Sequence, residues 1–184
     1  MRRLAVVTVG KTHSSKTTFA MRLERRLPNS FVIDQDNHAS FLNRHYAKLL
    51  PERGPNKPKY ALTEAILNYA LTETDRHLIL CNANRDRAGR KRLLSRLKEA
   101  GLFRVLVYFD LPTEVLRARV AASRRSTDSL RTASSFEEVL ERQLMQEAKS
   151  LVTLPDPTKV DAYLAVKRVD ELEAQIDDVL VCLR

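Results

Sequence analysis

Apolar runs and helically spaced apolar positions alternate along this chain. Leu4 to Val9 is an apolar run of strand length, the mark of a strand buried on both faces. After it, Phe19, Ala20, Leu23 and Leu27 share one helical face, and Leu27-Pro28-Asn29-Ser30 ends that helix with turn residues. Phe31-Val32-Ile33 reads as a short strand. Residues 39 to 60 are mixed: Phe41, Leu42 and Tyr46 fit a short helix, and Pro51 to Pro58, with Gly54 and Pro55 inside, reads as a loop. Within residues 61 to 74, Leu62, Ala65, Ile66, Tyr69 and Ala70 return to helical spacing. His77 to Cys81 is a third strand. Arg87 to Ala100 is a basic amphipathic helix with Leu93, Leu94 and Leu97 inside, closed by Gly101. Phe103 to Phe109 is a fourth strand, and Pro112 suits the first position of a helix carrying Val115, Leu116, Arg119 and Val120. Ser134-Ser135-Phe136-Glu137 fits a capping box opening a helix with Val139, Leu140 and Leu144 inside. Asp161 to Val166 is a fifth strand and Asp170 to Leu183 a closing helix. Strands alternating with helices predict an α/β fold: a five-stranded, mostly parallel sheet with helices on both faces.

The chain of 184 residues predicts one domain, 1–184, and the polar, basic, Ser/Thr-rich stretch from Arg124 to Ser135 predicts a mobile lid at about 122–136. A hydrophobic fraction of 43% suffices for a core, while no apolar run approaches membrane-spanning length. Met1-Arg2-Arg3 leads straight into the first strand without a secretory signal, so a cytoplasmic protein is expected. Cys81 and Cys182 are the two cysteines, read as small apolar residues, and no Cys/His spacing suggests zinc. The net charge of +9 is localised. Residues 76 to 131 hold 14 Lys and Arg against 5 Asp and Glu, and the rest of the chain balances. That excess suits ATP phosphates, a phosphorylated substrate or a nucleic acid backbone, or else forms a solvated basic face.

The chemistry centres on Gly10-Lys11-Thr12-His13-Ser14-Ser15-Lys16-Thr17-Thr18, between the first strand and the first helix. The phosphate-loop template is Gly, four residues, Gly, Lys, then Ser or Thr, and it needs this strand-to-helix context. Gly10, Lys16 and Thr17 fit; Ser15 replaces the second glycine. Loop N–H groups and the helix N-terminus would cradle a phosphate. Lys16 would place a cation on the β- and γ-phosphates, and Thr17 would offer its hydroxyl to Mg²⁺. If position 15 requires a positive φ, serine is strained there by an amount on the order of 1–3 kcal/mol.

A second candidate element is Asp34-Gln35-Asp36, just past the second strand, where open α/β sheets place their ligands. In a parallel sheet it shares an edge with the phosphate loop and with the Asn82–Arg85 turn. Asp36 could accept the proton of a substrate hydroxyl, and Asp34 could hold Mg²⁺ through water. The bland reading makes these carboxylates a helix cap or turn.

In series, these motifs resemble the small P-loop kinases: shikimate, gluconate and nicotinamide riboside kinases, zeta-toxin-like proteins and the polynucleotide 5′-kinase domain. Ile33-Asp34-Gln35-Asp36 resembles the Asp-x-Asp turn of shikimate kinase. Asn82-Ala83-Asn84 falls where many relatives have Asp-x-Asn. Leu116 to Arg125 resembles the helix entering an arginine lid, and Phe136 to Gln143 the helix after it. The resemblance covers nearly the whole chain and implies a three-layer P-loop NTPase fold with a short lid. It implies ATP and Mg²⁺ as cofactors and a small-molecule acceptor, in a monomer or homodimer with no membrane partner. The residues it points to as catalytic are Lys16, Asp36 and Arg124. Those for the nucleotide are Gly10 through Thr18 with Arg119 and Arg125, and those for the metal are Thr17 and Asp34. His13 and His38 are expected to line the site. Two departures stand out: Asn82 replaces the Walker B Asp, and Ala39 replaces an arginine that grips substrate in polynucleotide kinases, which counts against a nucleic acid substrate. Three readings follow: a small-molecule kinase, a polynucleotide 5′-hydroxyl kinase, and a nucleotide-binding regulatory module without phosphotransfer.

Overall fold

The computed structural model describes residues 2–127, 130, 133–149 and 151–184. Five strands are formed in chain order: β1 (Leu4–Gly10), β2 (Ser30–Ile33), β3 (His77–Leu80), β4 (Phe103–Phe109) and β5 (Ala162–Val166). The helices are α1 (Lys16–Arg26), α2 (Gln35–His45), α3 (Lys57–Glu73), α4 (Arg87–Glu99), α5 (Thr113–Ala121), α6 (Phe136–Ala148) and α7 (Leu172–Val181). The sheet order is β2-β3-β1-β4-β5, and every neighbouring pair is parallel. The expected three-layer α/β architecture is present, and the sheet is wholly parallel among the described residues.

All seven residues of β1 are buried, as its apolar run requires of a central strand. Its side chains alternate between two cores. Leu4 and Val6 pack with Phe19 and Leu23 of α1, Leu116 of α5, Leu140 of α6 and Ile176 of α7. Ala5, Val7 and Val9 pack with Leu67 of α3 and Leu94 and Leu97 of α4. Burying a side chain such as Phe19 or Leu23 stabilises by about 1.5–3 kcal/mol, which anchors α1 where the phosphate loop ends. Gly101, at φ 76°, closes α4 with the left-handed residue that a helix end favours.

Two helices start earlier than the apolar pattern indicates. α2 follows β2 directly, because Asp34 caps it: its carboxylate accepts from Asp36 N at 2.8 Å. α3 begins at Lys57, capped by Asn56, whose side chain accepts from Lys59 N at 3.1 Å. The closing helix opens as a 3₁₀ turn, Val169–Glu171.

α1 leaves β1 toward one core and α4 leaves β3 toward the other. The crevice beyond the C-terminal ends of β1 and β3 is where such sheets take ligands. Short bonds lace its floor. Thr8 Oγ1 donates to Asn82 O at 2.9 Å, Asn84 Nδ2 to Thr8 O at 2.9 Å, and Gly10 N to Ala83 O at 3.0 Å.

Candidate functional site

The phosphate loop rises from this crevice. Gly10 is required by close approach: a Cβ there would lie 2.9 Å from Phe109 Cβ and 3.0 Å from Phe109 O. Ser15 stands at the N-cap of α1 with φ 74°, so the strain foreseen for a serine there is real; His13 is also left-handed, at φ 57°. Such residues cost on the order of 1–3 kcal/mol each and persist where surroundings over-determine them. Arg119 Nη1 donates to Ser15 Oγ at 2.6 Å, which ties α5 to the strained residue. Lys16 turns its ammonium onto the carbonyl of Lys11 and onto Ser14 Oγ at 3.2 Å. Desolvation by the loop packed around it lowers its pKa to about 8.

Across the cleft stands the acidic wall. Asp34 is both the cap of α2 and a buried residue of the cleft. Burial, and secondarily the charge of Asp36, raise its carboxyl above the usual range. The Cys81 thiol lies against it and donates to Thr17 Oγ1 at 3.8 Å; burial pushes that thiol up to about 12, so it is an inert lining group. Asp36, in the first turn of α2, accepts from Arg125 Nη2 at 2.6 Å. Asn82 Oδ1 accepts from Gln35 N at 3.1 Å, so this side chain holds the start of α2. The Thr17 hydroxyl and the Asp34 carboxylate are hard oxygen donors on facing walls, a set that fits a divalent cation. The loop N–H groups and Lys16 fit the phosphates beside it.

The cleft has a volume of about 730 Å³ and brings together Thr12 through Thr18, Asp34, Asp36, Arg119 and Arg125. Gly10, Lys11, Arg124 and His38 do not line it. The Lys11 side chain is buried and paired with Glu147 Oε2 at 2.8 Å, away from the cleft, because a carboxylate from α6 claims it; only its backbone serves the loop. Arg124 is exposed and does not line the cleft. Its neighbour Arg125 does, held there by Asp36 and by the Phe136 ring, 5.1 Å from the guanidinium carbon. His13 lines the cleft, and its pKa is lowered by burial and then by the charges of Arg125, Arg119 and Lys16. His38 instead bonds Thr63 Oγ1 at 2.8 Å beneath α2. Of the expected lid, residues 128, 129, 131 and 132 lie outside the described residues; Leu130 packs against the core.

Several cleft residues were not singled out from sequence: Lys59 and Tyr60 from α3, and Arg142 and Gln143 from α6. The cation-rich run around Lys57 and Lys59 was a faint signal for the first pair. Nothing local marks the second.

An all-parallel sheet of this order, with a lysine-bearing phosphate loop facing a carboxylate across one cleft, is the arrangement of a P-loop domain. The family model described as AAA domain matches residues 6–152, and the chain belongs to that family. No curated protein matches it. Among solved structures, it is similar to the tunicamycin resistance protein of Deinococcus radiodurans, at 21% identity and TM-score 0.58, over 97% of this chain and 96% of that one. It is also similar to the APS kinase CysC of Mycobacterium tuberculosis, solved with AMPPNP and APS, at 18% identity and TM-score 0.56, over 99% and 98%. Shikimate kinase from Bacteroides thetaiotaomicron matches at 15% identity and TM-score 0.60, over 98% of each chain. At these identities the likeness establishes the fold, which bears out the expected small P-loop kinase architecture.

Proposed function

We propose that this chain is an ATP-dependent kinase that transfers the γ-phosphoryl group to a hydroxyl of a small-molecule acceptor. One observation carries this reading: Lys16 of the phosphate loop and Asp36 of α2 line the same cleft, with Arg119 and Arg125 beside them. Phosphoryl transfer is mostly positioning and charge stabilisation, with a carboxylate to orient the attacking hydroxyl. The loop N–H groups and Lys16 hold the β- and γ-phosphates. Arg119 and Arg125 meet the charge that spreads over the transferring oxygens. Asp36 receives the acceptor's proton, and its 2.6 Å bond to Arg125 aims it into the cleft. Thr17 and Asp34 are the groups that would hold Mg²⁺, which supplies charge neutralisation on the phosphates when bound. Asn56, Lys59, Tyr60 and Arg142 also line the cleft and would meet the acceptor.

The test is an acceptor search. The protein is incubated with ATP labelled in the γ-phosphate and a small-molecule extract, and labelled products are read by mass spectrometry. Once an acceptor is found, Asp36→Asn is expected to keep nucleotide affinity and lower transfer by roughly 100-fold or more. Asp34→Asn is expected instead to raise the Mg²⁺ concentration needed for half-maximal turnover. Wild-type transfer by Asp36→Asn would remove the proposed base. Label appearing only on added RNA or DNA would favour a polynucleotide kinase, and tight nucleotide binding without any labelled product a regulatory module.

A further inference from the structure

The phosphate loop lacks the second glycine of its template, yet it holds both Ser15 and His13 in left-handed backbone. Such residues need surroundings that leave the chain no alternative. One face of α6 supplies them. Phe136, Gln143 and Glu147 are spaced at helical intervals, so they form a stripe along one side of the helix. The stripe meets three successive loop residues in reverse order. The Phe136 ring meets the His13 ring edge-on, with centroids 4.9 Å apart. Gln143 Oε1 accepts from Thr12 N at 2.8 Å. Glu147 accepts from Lys11 Nζ at 2.8 and 3.1 Å. Behind the stripe, Arg85, in the turn between β3 and α4, donates to Glu147 Oε1 at 3.1 Å and to Gln143 O at 2.8 Å. Lys11 and Arg85 are both buried, so this single carboxylate answers two desolvated cations.

We propose that this face of α6 holds the phosphate loop in the conformation that the template secures with glycine, making Gln143 and Glu147 positioning residues for nucleotide binding. The inference rests on the nucleotide-binding part of the function proposed above. It also connects the lid to the loop, since α6 starts directly after the lid and Phe136 stacks beneath Arg125.

The device predicts a specific dependence on residue 15. With serine there, the loop relies on α6; with glycine, it relies on α6 much less. The experiment is a calorimetric titration with Mg·ADP of four proteins: wild type, Glu147→Gln, Ser15→Gly and the double variant. Melting curves taken first confirm that each is folded. Lys11→Met, which breaks the same ion pair from the loop side, replaces Glu147→Gln should the latter fail to fold. Glu147→Gln is expected to weaken Mg·ADP binding roughly tenfold with Ser15 in place, and about threefold or less beside Ser15→Gly. Loss of the Arg119 bond to Ser15 Oγ is common to both glycine proteins and cancels from the comparison. An equal loss in the two backgrounds, or no loss in either, overturns the proposal while the nucleotide reading stands. Failure of the wild type to bind Mg·ADP overturns both.

Discussion

With a phosphate held in the cleft as proposed, Lys16 should set the pH range of binding. Desolvation by the loop has already brought its pKa down to about 8, and a phosphate beside the ammonium would raise it again. The complex therefore binds more protons than the free protein between the two values. Nucleotide affinity should be level below about pH 7 and fall as pH rises through 8, by up to about tenfold per pH unit. Titrations with Mg·ADP from about pH 6.5 to 9.5 check this; a flat affinity across that range contradicts the role given to Lys16. At this scale the sequence was most readable where chemistry is local. Gly10, Lys16 and Thr17 follow from a nine-residue stretch, and the strain at Ser15 followed from its place in the template. Lys11 and Arg124 were less readable for a shared reason. A long cationic side chain goes to the nearest carboxylate, and the one that takes Lys11, Glu147, lies 136 residues away in the chain. The carboxylate that holds Arg125 rather than Arg124 belongs to Asp36, 89 residues distant.

At the scale of elements, one ion pair links α2 to the expected lid. Arg125 bridges them through Asp36, but the two side chains are 41% and 51% exposed, so the pair contributes at most about 1 kcal/mol. Phosphates entering the cleft should compete readily for Arg125 and draw the lid onto the nucleotide. Hydrogen exchange across residues 122–136 is expected to slow when the protein is saturated with a non-hydrolysable ATP analogue, and to slow much less in Arg125→Ala. Exchange unchanged on saturation would contradict a closing lid. The strands were legible because parallel strands buried on both faces read as unbroken apolar runs. The start of α2 was not, because Asp34 is a candidate ligand and a helix cap at once, and its type alone does not separate the two roles. α6 was visible as an amphipathic helix by its buried Leu140, but its polar stripe gave no sign of gripping the phosphate loop.

For the whole molecule, the basic excess of residues 76 to 131 overstates what is left for a ligand. Arg85, Arg90 and Arg104 are buried and occupied within the fold. Arg90 donates to the carbonyls of Asn84 and Thr153, each at 2.8 Å, and Arg104 bonds both carboxylate oxygens of Asp161 at 2.9 Å. Arg119 and Arg125 reach the cleft, where Arg85 is already bonded to Glu147 and Gln143, while Arg87, Lys91, Arg92 and Lys98 form an exposed face on α4. Ala39, where a substrate-gripping arginine was considered, is buried at 1% exposure and packs inside the fold. The sum of these placements leaves Arg119 and Arg125 as the exposed or half-buried cations of this stretch that line the cleft.

The central claim, that this cleft binds a nucleoside triphosphate through its phosphate loop, is tested most directly by calorimetric titration with Mg·AMPPNP of the wild type and of Lys16→Ala. The substitution removes a side chain at the open edge of the sheet and none of the core, so the free variant should melt where the wild type does. The account predicts one binding site per chain in the wild type and binding at least about tenfold weaker in Lys16→Ala, the loss expected for a charge-assisted phosphate contact. Equal affinity in the two proteins, or no binding by the wild type, would contradict it.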